Sequence, residues 1–140
     1  MVTIATELLV QLKLYGEKAF PEECVGVLLG KFNAETKVVH SLIPVANFAI
    51  SRRTEFAISE TDLLKAEKEA ARQNLDVVGF YHSHADFEAV ASKKDRDFAI
   101  PCLSYPIVSV LGGKAVAVKS FAFEGGAKKA NFTEEEIVCL

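Results

Sequence analysis

Two short, continuous apolar segments constrain the fold of this chain more than any other feature. Residues 24–29 and residues 77–81 each have the length of a strand, and Gly30 ends the first. A strand that is apolar at every position is typical of a sheet covered on both faces, since a half-exposed strand alternates polar and apolar residues. The sequence therefore predicts a sheet buried between helices.

Helical spacing of apolar residues appears on either side of these strands. It predicts an amphipathic helix over residues 3–19, which Thr3 could cap, and a second helix over residues 60–73. Ser59 and Asp62 resemble a capping box at the start of the second helix. Residues 92–99 predict a third, shorter helix.

The remaining strands are predicted from apolar and β-branched segments. These are residues 37–45, 105–111 and 114–123, and the last two form a hairpin that turns at Gly112 and Gly113. Because strands and helices alternate along the chain, the predicted fold class is α/β, with a mixed β-sheet sandwiched by helices.

Three further expectations concern the end of the sheet. The apolar positions shift within the last strand, which predicts a bulge near Lys119 or Ser120. A glycine pair at residues 125–126, followed by two lysines, is expected to end the sheet. Residues 133–136 are expected to form one final helical turn.

Length and composition limit the class of protein. With 140 residues, half of them hydrophobic, the chain has the usual size of one domain, and we expect residues 1–140 to form one. The formal net charge of −3 arises from intermingled charges, so we expect no nucleic-acid partner. The oligomeric state is left open, and a homodimer is among the states compatible with the sequence.

Location is predicted from the N-terminal segment and the cysteines. Residues 1–10 lack the pattern of a secretory signal, and no apolar run approaches the length of a membrane span, so we expect no membrane association. The three cysteines are odd in number and widely spaced, which favours reduced thiols. The expected location is the cytoplasm.

The segment from His82 to Asp95 carries the clearest chemical signal. His82 and His84 are two residues apart on an extended segment, so both side chains point to the same side. Ser92 follows His84 after seven intervening residues, and Asp95 follows Ser92 after two more. Histidine nitrogens and a carboxylate oxygen are ligands of catalytic zinc, which keeps one position open for water.

This segment resembles the signature of the JAMM (MPN+) zinc metalloprotease family, which is His-Ser-His, seven residues, Ser, two residues, Asp. The family also has a glutamate before an earlier apolar strand, and Glu23 stands at the matching position. Asn47, residues 56–58, Val78-Gly79 and residues 105–109 are similar to the family in type and order. The resemblance implies the JAMM/MPN fold, a relative of the cytidine-deaminase fold.

The resemblance also implies a role for each matched residue. His82, His84 and Asp95 would hold one Zn²⁺ per chain. Glu23 would be the general base that activates a zinc-bound water, and the Ser92 hydroxyl would stabilise the oxyanion, a contribution of about 3 kcal/mol for a single donor. The implied activity is that of a zinc-dependent peptidase or isopeptidase.

The implied substrate is the bond that follows the carboxyl-terminal glycines of a ubiquitin-like or sulfur-carrier protein. Only nine residues separate Asp95 from Tyr105, which leaves little room for the extra loop of the eukaryotic deubiquitinases. The chain is therefore closer to the compact prokaryotic members. We expect the extended tail of the substrate to add beside an exposed strand near residues 48–50.

Other interpretations of these residues are simpler. His-x-His alone is a weak pattern, Ser92 and Asp95 fit a helix capping box, and Glu23 alone would suit a solvated strand start. His40 is expected to be an ordinary histidine, and Cys24 an inert buried thiol.

Two alternatives concern the whole chain. A zinc deaminase needs His-x-Glu and a second cysteine after residues 101–102, and this chain has neither. A catalytically silent scaffold of MPN type is the alternative, although all five motif residues are present. The chain departs from the family at Ala85 and Ala91, where prolines are usual. We expect these alanines to affect the stiffness of the connecting loop rather than metal binding.

Overall fold

The computed structural model describes residues 1–123 and 132–139. Three helices and eight strands are present in these ranges, and their bounds follow chain order. They are β1 (Val2–Thr3), α1 (Thr6–Ala19), β2 (Val25–Asn33), β3 (Thr36–Val45), α2 (Glu60–Arg72), β4 (Asp76–Ala85), α3 (Lys93–Phe98), β5 (Tyr105–Leu111), β6 (Lys114–Ala122), β7 (Thr133–Glu135) and β8 (Ile137–Val138).

All eight strands belong to one mixed sheet, in the order β7-β6-β5-β4-β2-β3-β1-β8. β4 lies near its centre, where it pairs antiparallel with β2 and parallel with β5. A strand with partners on both sides has its backbone hydrogen bonds satisfied within the sheet, and its side chains are buried on both faces. The residues of β4 after Asp76 and Val77 are accordingly all buried.

The two faces of the sheet carry separate cores. On one face, Leu12 of α1 packs in a cluster with Leu28 and Val108. On the other face, Ala66 and Ala70 of α2 pack in a cluster that also contains apolar residues of β2, β4 and β5. The predicted sandwich of a mixed sheet between helices is confirmed. None of the helices in the described ranges is both long and apolar enough to cross a membrane.

Helix starts follow the sequence signals in two of three cases. Ser59 caps α2 by accepting a hydrogen bond from the backbone N–H of Asp62, at 3.1 Å. The prediction that Thr3 caps α1 is wrong, because Thr3 belongs to β1 and the residue before the helix is Ala5, whose side chain cannot accept a hydrogen bond. The N-terminal segment is therefore used for sheet pairing.

The end of the sheet differs from the prediction. The hairpin turns at Gly112 and Gly113 as expected, both with positive φ. The register shift lies between Ser109 and Val110 and not near Lys119 or Ser120, because the extra residue of β6 is Val116, close to the hairpin turn. The expected helical turn at residues 133–136 is wrong, since residues 133–135 pair with β6 as a strand. The glycine pair at residues 125–126 lies outside the described residues.

Gly79 allows β4 to pack closely against the chain that leads into β5. A Cβ atom placed on Gly79 would lie 2.0 Å from the backbone oxygen of Ser104. We expect Gly79→Ala to lower the free energy of unfolding by about 3 kcal/mol, because the backbone must move. Gly112→Ala is the comparison: it meets no atom within 4 Å, and its positive φ costs only about 1 kcal/mol. Urea denaturation midpoints of the two variants measure the difference, and equal midpoints would contradict the close packing.

Candidate metal centre

The two histidines of the motif lie on a central strand of the sheet, near the carboxyl end of that strand. The sequence predicts a strand over residues 77–81, but β4 continues to Ala85, so His82 and His84 are inside it. His82 lies opposite Val25 of β2 on one side. The two imidazoles lie on the same face because side chains alternate along a strand.

Asp95 comes to this face from α3. Ser92 caps that helix: its Oγ accepts from the backbone N–H of Asp95 at 3.1 Å, and its own N–H donates to Asp95 Oδ2 at 2.9 Å. Asp95 Oδ1 lies 3.1 Å from His82 Nε2, and Oδ2 lies 3.1 Å from His84 Nε2. The two imidazole Nε2 atoms are 3.2 Å apart. One buried carboxylate thus joins both rings.

The surroundings of the two rings favour Nε2 as the ligand atom of each. His84 Nδ1 lies 2.8 Å from the backbone oxygen of Glu88, which accepts a hydrogen bond from it. This bond places a proton on Nδ1 and leaves the Nε2 lone pair for a metal. In His82, which is 1% exposed, it is Nε2 that faces Asp95 and His84. Its buried Nδ1 has no hydrogen-bond partner in the part of the chain that the structure describes.

The electrostatics of the cluster favour a positive charge between its members. Burial alone would raise the pKa of Asp95, but hydrogen bonds from His82 and His84 outweigh it and hold the pKa well below its usual range. Burial alone would lower the pKa of His84, but its bonds to Asp95 and to the Glu88 carbonyl outweigh it and raise the pKa. Burial lowers the pKa of His82, which keeps this imidazole neutral.

The residues present fit a zinc ion. Ligand atoms about 2.0 Å from a tetrahedral zinc are about 3.3 Å apart, close to the separations of 3.1–3.2 Å found here. His82, His84 and Asp95 are all buried, and their ligand atoms lie within 4.8 Å of one another. Two neutral nitrogens facing each other at this distance need a cation or a proton between them. The donor set, two nitrogens and one oxygen, is that of catalytic zinc sites.

Glu23 lies beside this cluster, two residues before β2 begins. Its N–H donates to the carbonyl of Arg52 at 2.7 Å, and its own carbonyl accepts from Asn47 Nδ2 at 2.9 Å. The side chain points into the same cleft as His84. Burial raises the pKa of Glu23 to about 7, and the nearby charge of His84 opposes this increase. A carboxyl group with a pKa near neutrality can both take up and release a proton.

Ser92 performs one of the two roles expected of it from the sequence, that of helix cap, and its position leaves the hydroxyl accessible from the cleft. Its Oγ accepts the capping hydrogen bond from Asp95, which uses a lone pair and leaves the hydroxyl proton free to donate elsewhere. The residue is exposed and lines the cleft. The structure therefore brings all five predicted site residues to one place.

The cleft above the cluster has a volume of about 620 Å³ and one apolar wall. Its polar lining includes Glu23, His84, Ser92, Asp95 and the ion pair of Lys94 with Glu55. The wall is formed by Phe56, Phe87, Val90 and Phe98. Such a wall excludes water from one side of the polar groups.

Hydrogen bonds hold the loop between β4 and α3, where prolines are usual at residues 85 and 91. Ser109 Oγ donates to the carbonyl of Phe87 at 2.5 Å, and the N–H of Gly112 donates to Asp86 Oδ1 at 2.8 Å. The hydrogen bond from His84 to the Glu88 carbonyl is a third restraint on this loop. These contacts supply restraint that pyrrolidine rings would otherwise provide.

Contacts made by the rest of the chain also shape the site. The ring of Phe56 stacks on His82, with centroids 4.1 Å apart. The sequence signals neither this contact nor the Glu88 carbonyl, because both depend on how distant loops fold and the second involves no side chain. Ser83 lies on the opposite face and accepts from the Cys24 N–H at 2.8 Å, in a structural role. His40 is exposed and takes no part in the cluster.

Cys24 is next to Glu23 in the chain but has the properties of an inert thiol. Burial raises its pKa to about 11. A thiol that stays protonated at neutral pH is a poor nucleophile.

The fold has clear counterparts among solved structures. A protein of Desulfitobacterium hafniense superposes with a TM-score of 0.85 at 27% identity, covering 100% of this chain and 93% of that one. A JAB1/MPN domain protein from Archaeoglobus fulgidus gives a TM-score of 0.60 at 17% identity over 99% of this chain and 94% of that one. A structure described as a JAMM metalloprotease-like zinc site in the proteasome and signalosome gives a TM-score of 0.58 at 16% identity. The match covers 99% of this chain and 95% of that one. The chain therefore has the JAB1/MPN fold.

Sequence comparison then identifies the family. The chain belongs to the prokaryotic homologues of the JAB domain, whose family model matches residues 6–124. Among curated proteins it is 34% identical over 79 residues to a desampylase of Haloferax volcanii, which is 56% of this chain and 55% of that protein. It is 37% identical over 75 residues to a desampylase of Pyrococcus furiosus, 54% of this chain and 50% of that protein.

A third relative has a different description. It is the ER membrane protein complex subunit 8/9 homolog of Dictyostelium discoideum, 29% identical over 83 residues, which is 59% of this chain and 41% of that protein. The chain thus matches only about half the length of the curated relatives.

The buried Glu23 carboxyl group makes the stability of the metal-free protein depend on pH. Because burial raises its pKa to about 7 from the ordinary value of 4.5, the folded state binds more protons than the unfolded chain, and stability falls as the pH rises between these values. We expect Glu23→Gln to stabilise the chelator-treated protein, with a larger gain at pH 8 than at pH 5. Thermal unfolding of both proteins at the two pH values measures this gain. An equal increase in stability at pH 5 and pH 8 would mean that folding does not raise the pKa of Glu23.

Proposed function

We propose that this protein is a zinc-dependent peptidase or isopeptidase that cleaves the bond after the carboxyl-terminal glycines of a ubiquitin-like or sulfur-carrier protein. The observation that carries this proposal is the convergence of Glu23 and Ser92, in one cleft, on the cluster of His82, His84 and Asp95. Hydrolysis of an amide needs a base, an oxyanion donor and an electrophile in reach of the same carbonyl.

Different residues of the chain would supply the base, the oxyanion donor and the zinc ligands for amide hydrolysis. Bound at His82, His84 and Asp95, zinc would supply a Lewis acid that lowers the pKa of water and polarises a carbonyl. Glu23, the base, would take a proton from the attacking water and give it to the leaving amine. The free hydroxyl proton of Ser92 would be donated to the oxyanion as it develops.

The substrate class is supported by the relatives and by the exposed loop after β3. Two curated relatives are desampylases. Phe48 is 71% exposed and Ile50 is fully exposed. The expected exposed strand near residues 48–50 is wrong, because β3 ends at Val45 and these residues form a loop. Exposed apolar side chains are typical of protein-binding surfaces, and the tail of the substrate would lie against them. We further propose that the protein acts in the cytoplasm, where its three cysteines, which are free, would stay reduced.

A catalytically silent scaffold is the second candidate. It is supported by the relative described as a subunit of a membrane protein complex. A silent scaffold has no need of a buried base beside a ligand cluster, and burying a carboxyl group such as Glu23 without function is costly. Metal content and cleavage distinguish the two candidates.

Zinc content is the first test. We expect the purified protein to hold close to one equivalent of zinc by elemental analysis, and His84→Ala to hold less than a tenth of that, since it loses one of three ligands. Glu23→Gln is the control and should retain zinc, because Glu23 is not a ligand. A wild-type protein with less than about half an equivalent would favour the scaffold.

Cleavage by the zinc-loaded protein is the second test. We expect wild type to release carboxyl-terminal extensions or lysine conjugates from at least one member of a panel of ubiquitin-like and sulfur-carrier proteins, followed by intact mass. Glu23→Gln should abolish cleavage while zinc is retained. If wild type, loaded with zinc, cleaves no member, the peptidase proposal is wrong, and if Glu23→Gln cleaves at the wild-type rate, Glu23 is not the base.

Ser92 is tested on whichever substrate is cleaved. We expect Ser92→Ala to lower kcat about a hundredfold, the usual loss for one oxyanion donor. Ser92→Thr keeps both the hydroxyl and the helix cap, so it should retain most of the activity. Steady-state kinetics of the two variants at equal zinc occupancy make the comparison, and equal kcat values would rule out hydroxyl donation.

A further inference from the structure

The Phe56 ring makes the closest aromatic contact to the cluster. It stacks on His82, with centroids 4.1 Å apart and an angle of 23° between the ring planes. His82 is 1% exposed. The stacked ring covers one face of the imidazole and limits its rotation about χ2, which is otherwise a broad torsion.

The Phe56 ring also contacts an aromatic ring of α3. Phe98 of α3 meets it edge to face, at 5.3 Å and 75°. Phe98 in turn meets Phe80 of β4 at 6.2 Å and 83°. Phe56 therefore sits between the helix that carries Asp95 and the strand that carries His82.

The backbone around Phe56 is fixed by one side chain, that of Asn47. Its Nδ2 donates to the carbonyl of Glu55 at 2.9 Å, and its Oδ1 accepts from the N–H of Ala57 at 3.1 Å. These two partners are the residues immediately before and after Phe56. The N–H of Phe48 adds a hydrogen bond to the Ala57 carbonyl, at 2.9 Å.

Of the two remaining hydrogen bonds of Asn47, one ties the loop to the segment just before β2 and the other stays within the loop. Nδ2 also donates to the carbonyl of Glu23 at 2.9 Å, and Oδ1 also accepts from the N–H of Ala49 at 3.0 Å. All four hydrogen-bonding positions of the amide are thus used, two as donor and two as acceptor. An aspartate has the same shape but no donors, and it would face two carbonyl oxygens with a negative charge.

We propose that Asn47 and Phe56 are positioning residues for the metal centre: the Asn47 amide fixes the backbone on both sides of Phe56, and the Phe56 ring fixes the orientation of His82. The consequence for metal binding rests on the proposed function. The consequence for the His82 ring does not, because the contacts exist without the ion.

Proton NMR of the metal-free protein tests the ring orientation. A stacked phenyl ring shifts the carbon-bound protons of His82 upfield, and the chain has only three histidines, so the signals can be assigned by substitution. We expect Phe56→Leu to move these signals downfield, and Asn47→Asp to move them in the same direction although Phe56 is still present. Asn33→Asp makes the same chemical change at an exposed residue of β2 and should leave them in place.

Zinc affinity tests the effect on the centre. By competition with a chromophoric chelator, we expect Phe56→Leu and Asn47→Asp each to weaken zinc binding about tenfold, the usual lower effect of losing a residue that orients a ligand. Phe56→Tyr keeps the stacked ring and should bind within about twofold of wild type. Phe32→Leu removes an exposed ring of β2 and should not change the affinity.

The outcomes separate this inference from the proposed function. If the folded Asn47→Asp protein keeps the His82 proton shifts of wild type, or both variants bind zinc as tightly as wild type, the positioning role is wrong. If wild type binds no zinc, the proposed function fails while the proton shifts still decide the positioning role. Circular dichroism checks folding, and if Asn47→Asp does not fold, Asn47→Ser, which removes the same donors without adding a charge, takes its place.

Discussion

The organisation of the site depends on one buried carboxylate, Asp95, that is shared by two imidazoles. Both rings come from a strand with partners on each side, so their positions are set by the backbone of the sheet. The carboxylate must reach them from another element while staying ionised in a buried place, which requires hydrogen bonds to each oxygen. The capping box of α3 meets part of this requirement, because the Ser92 N–H bonds Asp95 Oδ2, and His82 Nε2 meets the rest at Oδ1.

Because side chains alternate along β4, residues that stabilise the fold and residues of the metal centre lie on opposite faces of this strand. Tyr81 and Ser83 point to the face covered by α1, where the first is fully buried in the core and the second binds the backbone of β2. His82 and His84 point to the other face, towards the cleft. A polar site in the middle of a sheet is tolerated because the hydrophobic contacts that stabilise this strand are largely made on the opposite face and at Phe80.

The predictions from sequence succeed where a local rule decides the outcome and fail where distant pairing does. Ser59 and Ser92 cap helices as their spacing predicts, since a cap depends on a few consecutive residues. Residues 133–135 and Thr3 have plausible helical signals, but they pair as strands, the first at an edge of the sheet and the second between β3 and β8. The five motif residues could be named because the resemblance supplies their spacing. Phe56 and the Glu88 carbonyl could not be assigned their contacts with the histidines, because these arise only when the loops fold over the sheet.

The two sources of the cluster differ in how firmly they are anchored. His82 and His84 belong to a ten-residue strand bonded along its length, whereas Asp95 belongs to a six-residue helix held by its cap and by the ring contacts of Phe98. Opening a central strand requires breaking the sheet, but displacing a short helix does not. The centre therefore has a fixed half and a movable half. An ion would enter and leave through displacement of Asp95, so its rate of exchange would be governed by the local stability of α3 and not by that of the whole fold.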